Sequence, residues 1–546
     1  MSLWNMFFIL LLFIAVSHTS TQSPPPLTSA CRSAGIKECN KLQFVPGHTL
    51  LGEGLDIVTM KKKGSYLLNL QKVITSKKTC TVCSNPYMKK AWQKLPLGVV
   101  DWRPQSICFK KVSGETSRST SSLAEESASS IQNNWEVGLE LHHKSVDAKM
   151  VLAGSQSQLA QFGQIKSSVD RYTFIKHQLS CIYYGLRLSH TPPLSQEFNK
   201  TLESLPATYD TKSQDKYRHL IATYGTHYIS QANIGGEAHQ VTAIRTCHAT
   251  MDGVSLDELK DCLSIEASVA INGKGEVNAK ASACKDLSNK ANHGESFHQT
   301  YNERIWKITG GEITYDLLSF DSKNSDSSSS FEKWMDSLKI HPDIVSYSVE
   351  PIHNLVRFRG PQRENLKKAV SDYIMEKALR QNCSCPSGSV LSPGAECSCV
   401  CQGNDHRSSN CCPSKKGYAK LVVNIQSAAN LWGDYISKTD AYVVVSYGSA
   451  KARTITIWNN NNPTWKSRFD LGILELSSAP LLKIEVWDED NKYDDDLLGA
   501  CTKNVNSGTK SEVCYLQHGS VSFVVSAECV THLTGHLCRE YAASTK

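Results

Sequence analysis

The most regular pattern in the sequence is an alternation of apolar and polar positions between Leu263 and Ala283. One face of an extended chain there would carry Leu, Ile, Val, Ala and Gly, and the other mostly Ser, Glu, Asn and Lys. A strand has this period of two, and a strand that crosses a bilayer needs about 9–11 residues with one lipid face and one aqueous face. The pattern predicts an amphipathic membrane strand, with an ordinary half-exposed strand as the alternative.

Cys262 and Cys284 bracket this stretch. Fully extended, the chain between them would span about 70 Å, whereas bridged cysteines have Cα atoms within about 7 Å. A bridge between them would therefore exclude one continuous strand. The sequence leaves open whether they are bridged.

A second candidate membrane segment covers residues 146–174. Its apolar positions alternate up to Leu152, and then Leu159, Phe162 and Ile165 recur at helical spacing. The pattern indicates a segment that suits both a strand and a helix.

Residues 1–20 predict a signal peptide, because a short apolar run is followed by polar residues; an uncleaved anchor is the alternative. All 20 cysteines lie beyond this run, and an even number in an exported chain predicts disulfides. Sequons at Asn199 and Asn382 are candidate glycosylation sites in the same compartment.

Length and composition predict an α+β multidomain protein, since 546 residues exceed one compact core. The net charge of +7 is spread over a long chain, so it does not predict a nucleic-acid partner. Beyond the signal peptide (1–20), the predicted regions are a mixed domain (21–375), a cysteine-rich EGF-like segment (376–413), a β-sandwich (414–528) and a C-terminal tail (529–546).

The most specific chemistry lies in two acidic loops of the predicted sandwich, around residues 431–440 and 488–496. Calcium prefers six to eight oxygen ligands, which clustered carboxylates on flexible loops supply. The order of strand, acidic loop, Thr-Asp-Ala-Tyr strand and Val-Trp-Asp-x-Asp is the pattern of a C2 domain, and a solvated acidic loop is the alternative. The predicted calcium ligands are Asp434, Asp440, Asp488, Asp490, Asp494, Asp495, Asp496 and, more weakly, Asn459.

Aromatic residues are interleaved with these acids. Trp432, Tyr435 and Tyr493 are predicted to anchor in lipid, because amphipathic rings settle at the headgroup depth of a bilayer. Packing of these rings inside the domain is the alternative.

A further motif runs from Tyr217 through Tyr-Gly-Thr-His-Tyr to a Gly-Gly pair. Its residues are Tyr217, Tyr224, Gly225, Thr226, His227, Tyr228, Gly235 and Gly236. It resembles the signature of the membrane-attack-complex/perforin superfamily, and residues 297–304, the cysteine-rich segment and the acidic loops extend the resemblance over nearly the whole mature chain. The C2 region distinguishes the chain from complement proteins of that superfamily.

The resemblance implies a bent antiparallel sheet flanked by helical clusters that refold into membrane hairpins. Gly225, Gly235 and Gly236 are then expected at the bend. Because open sheet edges are not tolerated in lipid, the hairpins must close into a barrel of many protomers. The resemblance places a contact between protomers at Glu350 and, where a basic residue is expected, at His219 with the adjacent Arg218.

The resemblance also implies particular bridges, partners and location. The implied bridges are Cys31–Cys83, Cys39–Cys80, Cys108–Cys181, Cys501–Cys514 and Cys529–Cys538. The resemblance implies a secreted protein that is stored in the lumen of cytolytic granules and acts at the plasma membrane of a target cell. It implies that the protein binds phospholipid there, with calcium as cofactor, and assembles with itself into a ring. Granule serine proteases are the implied cargo of the pore.

An enzyme is the first rival, but the sequence contains no nucleophile elbow, metalloprotease helix or phosphate loop. A lipid hydrolase targeted by a C2 domain is therefore disfavoured, and His227 is expected to be structural. The second rival is a non-lytic secreted protein that binds membranes with the same fold.

Crowded carboxylates predict a pH dependence of calcium binding. Like charges raise the pKa of a carboxyl group above its usual value of about 3.9, and calcium requires the ionised form. We expect calcium affinity, measured by isothermal titration calorimetry, to fall between pH 7.4 and pH 5. An affinity that stays constant over this range would contradict the prediction.

Overall fold

The computed structural model describes residues 30–141, 148–272, 278–290, 297–312, 327–357, 360–382, 385, 389–392, 399–433, 435–476, 480–490 and 494–544. The predicted signal peptide lies outside the described residues. Helices occur in the part of the chain that precedes the cysteine-rich segment. They are α1 (Ile36–Lys41), α2 (Thr120–Ser127), α3 (Gln158–Ser167), α4 (Gln196–Glu203), α5 (Gln214–Tyr224), α6 (Thr246–Met251), α7 (Leu256–Asn272), α8 (Asn278–Lys290), α9 (Phe297–Thr300), α10 (Ser327–Ser337) and α11 (Pro361–Lys377).

Serine side chains set the starts of three of these helices. Ser119, Ser157 and Ser195 each accept a backbone N–H from the first turn of α2, α3 and α4, which satisfies a donor that the helix itself leaves unpaired.

The strands before residue 402 are β1 (Cys31–Gly35), β2 (Glu53–Asp56), β3 (Lys61–Tyr66), β4 (Thr79–Asn85), β5 (Ala91–Lys94), β6 (Val99–Ser117), β7 (Ala148–Val151), β8 (Tyr172–Leu188), β9 (His227–Arg245), β10 (Arg304–Thr309), β11 (Asp343–Pro351), β12 (Leu379–Asn382), β13 (Ser389–Leu391) and β14 (Cys399–Cys401).

A large antiparallel sheet forms the centre of this region. Its strand order is β3-β2-β9-β8-β6, in which β2 and β8 pair with different parts of the same edge of β9. Strands β10 and β11 pair with the opposite edge of β9. Strand β9 pairs with β11 up to Gly235 and with β10 from Glu237 onward. The sheet therefore changes partner at the Gly235–Gly236 pair, two of the three glycines that the resemblance places at the bend. Gly225 lies directly after α5 and before β9, away from this point, and the bend itself stays a prediction.

The backbone at this pair has no room for side chains. A Cβ atom on Gly235 would lie 2.0 Å from the carbonyl oxygen of Cys181, and one on Gly236 would lie 2.3 Å from Leu338. The β8–β9 register is irregular at the same level, between Ile182 and Tyr184. Glycine is thus required at position 235 by the close approach of the β8 backbone, whereas at position 236 a larger residue would force the side chains of Leu338 and Trp334 to move.

The described part of the first candidate membrane segment is helical in this structure, and the second contains one helix. Residues 263–272 lie on α7 and residues 278–283 on α8, so the stretch is not one continuous strand here, and Cys262 is bridged to Cys284 with a Cα separation of 5.5 Å. The second segment contains helix α3, as the resemblance implies, but its residues 148–151 form strand β7, which pairs with β12.

Disulfides tie the described regions together, and none of the described cysteines is free. The five bridges that the resemblance implies are all present in the structure. Cys385–Cys399 and Cys401–Cys411 lie within the cysteine-rich segment, and Cys247–Cys412 joins it to the residue that follows β9 by two positions. These bridges agree with the prediction that disulfides hold so short a segment.

The region after residue 414 is a sandwich of two four-stranded antiparallel sheets, as predicted, with orders β18-β15-β22-β21 and β17-β16-β19-β20. Alternate residues of its strands, including Leu421, Val443, Ile484 and Phe523, are buried between the sheets. The strands are β15 (Tyr418–Ala429), β16 (Ala441–Tyr447), β17 (Ala450–Arg453), β18 (Thr464–Glu475), β19 (Leu482–Asp488), β20 (Asp496–Lys503), β21 (Gly508–Tyr515), β22 (Ser520–Cys529), β23 (Leu533–Thr534) and β24 (Glu540–Tyr541).

The segment expected as a C-terminal tail folds back onto the first domain. The Tyr541 hydroxyl and the Ser544 N–H donate hydrogen bonds to the buried carboxylate of Asp170, and His532 lies 3.6 Å from it.

Among the described residues, no helix is long and apolar enough to cross a membrane.

The glycine of the signature is predicted to be required for folding. Gly225 has φ of 81°, and a Cβ atom there would lie 2.5 Å from the carbonyl oxygen of Leu55. We expect Gly225→Ala to lower the free energy of unfolding by about 3 kcal/mol, because steric clash adds to the cost of left-handed backbone. The measurement is urea unfolding followed by circular dichroism.

Gly253→Ala is the matched control. Gly253 has φ of 76°, but a Cβ atom there would point into open space, with no neighbouring atom within 4 Å. Only the backbone cost of about 1 kcal/mol should remain. Equal losses in the two variants would contradict the steric argument.

Candidate functional sites

Three loops meet at one end of the C2 sandwich. We call them loop 1 (residues 430–440), loop 2 (454–463) and loop 3 (489–495). Loop 2 lies against loop 1 because the Asn460 N–H donates to the carbonyl oxygen of Thr439, and loop 3 lies against it because the Glu489 N–H donates to that of Asp440. The sandwich thus brings together segments that are about 60 residues apart in sequence.

Two of the predicted ligands form the centre of this end. Asp488 is 1% exposed, and its Oδ1 accepts the Asp440 N–H at 2.6 Å. Asp440 Oδ1 in turn accepts the Asn459 N–H at 2.5 Å. Backbone N–H groups thus hold both carboxylates in place at this end, and carboxylate oxygens are ligands that calcium prefers.

Glycine allows loop 1 to approach this carboxylate. A Cβ atom on Gly433 would lie 1.7 Å from Asp488 Oδ2. The loop backbone, including the residue next to Asp434, is therefore held directly over the buried acid. This close approach is consistent with a site in which backbone and carboxylate oxygens share one cation.

The remaining acids of loop 3 are partly engaged within the protein. Asp495 accepts a hydrogen bond from the Tyr442 hydroxyl at 2.7 Å, and Asp496 pairs with Asp488 in the β19–β20 register. Burial and this hydrogen bond raise the pKa of Tyr442 to about 12. Glu489 forms an ion pair with Arg453 at 2.7 Å, so one acid of the loop is neutralised by the protein itself.

The donor chemistry fits calcium, but the described residues do not form a complete site. Among them, no three His, Cys, Asp or Glu side chains cluster as metal ligands. Asp434 and Tyr493 lie outside the described residues, and Asp434 is one of the predicted ligands. The ligand set therefore stays a prediction.

Exposed apolar side chains surround the acids. Trp432 and Tyr435 are 42% and 92% exposed, and their rings contact each other at a centroid distance of 5.1 Å. Ile436, Ile455 and Trp458 are also exposed, at 102%, 73% and 60%. Sequence reasoning missed these three, although an apolar run directly before four asparagines was the signal in loop 2.

Part of the perforin-type signature forms a second, buried site at the start of β9. Thr226 and His227 are fully buried, and the Thr226 hydroxyl accepts the Ile57 N–H at 3.0 Å. His227 Nε2 lies 3.1 Å from the carbonyl oxygen of Trp135, and Nδ1 lies 2.8 Å from the Thr226 hydroxyl. Since a carbonyl oxygen only accepts hydrogen bonds, Nε2 carries the proton. The His227 ring therefore joins the start of β9 to the segment that contains Trp135, which is a structural role.

The predicted protomer contact involves residues that already have partners within the chain. Glu350 accepts a hydrogen bond from the Tyr228 hydroxyl at 2.7 Å. Arg218 forms an exposed ion pair with Glu376 at 3.0 Å, and His219 is exposed on the same helix. The predicted contact would join two protomers, so it stays a prediction.

The two remaining signature residues and the sequons have clear positions. Tyr224 is buried and is the last residue of α5. Tyr217 is fully buried and donates a hydrogen bond to the carbonyl oxygen of Pro206 at 2.5 Å. Asn199 is exposed on α4, where a glycan can be accommodated, and Asn382 is the last residue of β12.

Comparison with known proteins agrees with this architecture. A family model described as the MAC/Perforin domain matches residues 44–383, and one described as the C2 domain matches residues 419–518. The chain therefore belongs to the membrane-attack-complex/perforin family.

Within that family the chain is similar to perforin-1. It is 40% identical to perforin-1 of Mus musculus over 526 residues, which cover 95% of this chain and 94% of the relative. It is 38% identical to perforin-1 of Homo sapiens over 94% of this chain and 93% of the relative. Complement component C8 beta chain of Mus musculus is 26% identical over 43% of this chain and 40% of the relative.

The buried His227 predicts a pH dependence of stability. Burial lowers its pKa from 6.5 to about 4. Between these values the unfolded chain binds a proton that the folded chain does not, so stability falls as the pH falls through this window. We expect His227 to contribute about 2 kcal/mol of lost stability between pH 7.4 and pH 5.

The test compares urea unfolding of the wild type and of His227→Gln at both pH values. The difference between the two proteins isolates His227 from His353, whose pKa burial also lowers to about 4. The wild type should lose more stability on acidification than the variant. Equal losses would show that His227 is not the group responsible.

Proposed function

We propose that this protein binds phospholipid membranes through the three C2 loops in a calcium-dependent manner, assembles into rings and opens the bilayer with a β-barrel pore. The observation that carries the proposal is the meeting of buried and surface carboxylates with exposed Trp432, Tyr435, Ile455 and Trp458 at one end of the sandwich. Exposed apolar side chains beside clustered acids are unfavourable in water and suit a charged membrane interface.

The loops divide the work of docking. The candidate ligands, including Asp440 and Asp488, would hold calcium, which when bound supplies positive charge and coordination sites for lipid phosphate oxygens. The exposed rings of loops 1 and 2 then bury apolar surface at headgroup depth. Removal of the loop charge and burial of the rings act together, so docking should depend on both.

Pore formation would follow on the other domain. The alternating stretch 263–283 follows β9, and residues 146–174, whose apolar positions alternate only up to Leu152, lead into β8. Extension of these strands into lipid requires that their edges be closed by neighbouring protomers. By analogy with perforin we propose secretion from cytolytic granules and admission of granule serine proteases, without enzymatic activity of the chain itself.

The test is dye release from phosphatidylcholine liposomes with and without calcium. We expect leakage only with calcium, and at least tenfold less leakage from Asp434→Asn/Asp490→Asn, because two of the predicted anionic ligands are lost. Asp470→Asn is the matched control, since Asp470 is an exposed acid of the same domain that pairs with Lys420 away from the loops.

A second pair of variants tests the rings. Ile455→Ser/Trp458→Ser should reduce calcium-dependent liposome binding, whereas Ile340→Ser, which changes a residue 55% exposed outside the C2 domain, should not. Calcium-dependent binding without leakage would favour the non-lytic alternative. Release of fatty acid from the liposomes would favour the hydrolase.

A further inference from the structure

One bridge constrains a segment that is proposed to change structure completely. Cys262 of α7 is bridged to Cys284 of α8, and the two residues are only 4% and 7% exposed. They are buried in a cluster with Ile175 of β8 and Ile244 of β9. The bridge is therefore shielded from solvent in this form of the protein.

The same bridge fits a second geometry, the base of an antiparallel hairpin. Directly opposite residues in such a pair have Cα atoms about 4.5–5.5 Å apart, and bridged cysteines about 4.4–6.8 Å apart. The Cα separation of 5.5 Å in the helical form lies within both ranges. The helices can thus convert to strands without breaking or straining this link.

The position of the bridge dictates which residues would oppose each other. With Cys262 opposite Cys284, the numbers of any two opposed residues in the hairpin add up to 546. Val269 then opposes Val277, and Glu266 opposes Lys280. Apolar positions face apolar positions, and two opposite charges meet on the polar face, an arrangement that stabilises a sheet.

The lengths also agree. The sequence separation of 22 leaves room for two arms of about nine residues and a short loop centred on Gly273. An arm of about 9–11 residues, counted with its cysteine, spans a bilayer. One continuous strand over the same stretch is excluded while the bridge is closed.

We propose that the Cys262–Cys284 bridge stays closed in the pore and forms the base of a membrane hairpin whose register it fixes. The inference rests on the proposed pore formation. A register slip by one residue would move every apolar side chain to the wrong face, and the bridge prevents such slips as well as slips by two. It also keeps the arms together while α7 and α8 leave the sheet.

The first test is peptide mapping, without reduction, of rings extracted from leaky liposomes. We expect Cys262 linked to Cys284 in the membrane-embedded protein, and leakage that needs no reducing agent. Free thiols at these positions in the pore, or leakage that starts only after reduction, would overturn the proposal.

The second test measures the register. Ala267→Cys/Ala279→Cys places thiols at opposed positions, and Ala267→Cys/Ala281→Cys is the control with the same substitution shifted by two residues. The engineered thiols are kept reduced until rings have formed and are then oxidised. We expect a cross-link in the first variant at least tenfold more abundant than in the second.

The outcomes are distinct. Preferential linking of position 267 to position 281, or no link in either variant despite leakage, would overturn the register. Secretion yield and calcium-dependent liposome binding equal to the wild type establish that each variant folds. If the wild type binds liposomes but never releases the dye, the proposed pore formation is wrong and this inference is wrong with it. If dye is released but the cross-link forms between the wrong positions, only the proposed register is wrong.

Discussion

The architecture depends on the close approach of β8 and α10 to the backbone of β9 at Gly235 and Gly236. Strand β9 is paired along both edges, and at this point it exchanges β11 for β10. A Cβ atom on either residue would clash with β8 or with the side chain of Leu338, so glycine occupies the point where β9 changes partner. The elements proposed to enter the membrane are all attached beyond this point.

One disulfide and a set of hydrogen bonds connect the ends of β9 and β8 to the C-terminal part of the chain. Cys247, just after β9, is bridged to Cys412, and therefore the end of β9 is tied to the segment that carries the C2 domain. The buried carboxylate of Asp170, just before β8, is held by Tyr541 of β24 and by Ser544. Both junctions of the proposed membrane segments are thus connected to the domain that would bind lipid first.

The two proposed sites use opposite physical means. At the C2 end, acids and apolar rings are kept on the surface at a cost in solubility, which a cation and a bilayer would relieve. At the signature, Thr226 and His227 are buried and fully engaged in hydrogen bonds that join separate parts of the chain. The first site is suited to binding, and the second to holding the folded domain together.

The sequence alone determined the family signature, the two acidic loops and the sandwich, because these depend on local residue types at fixed spacing. It did not determine whether residues 263–283 are helix or strand, since small residues such as Ala267 and Ala279 satisfy either pattern. The tertiary structure decided for helices by burying Leu263 and Phe297 against β8 and β9. It alone also decided the Cys262–Cys284 bridge and the exposure of Trp458, because cysteine pairing and solvent contact depend on which distant segments meet in space.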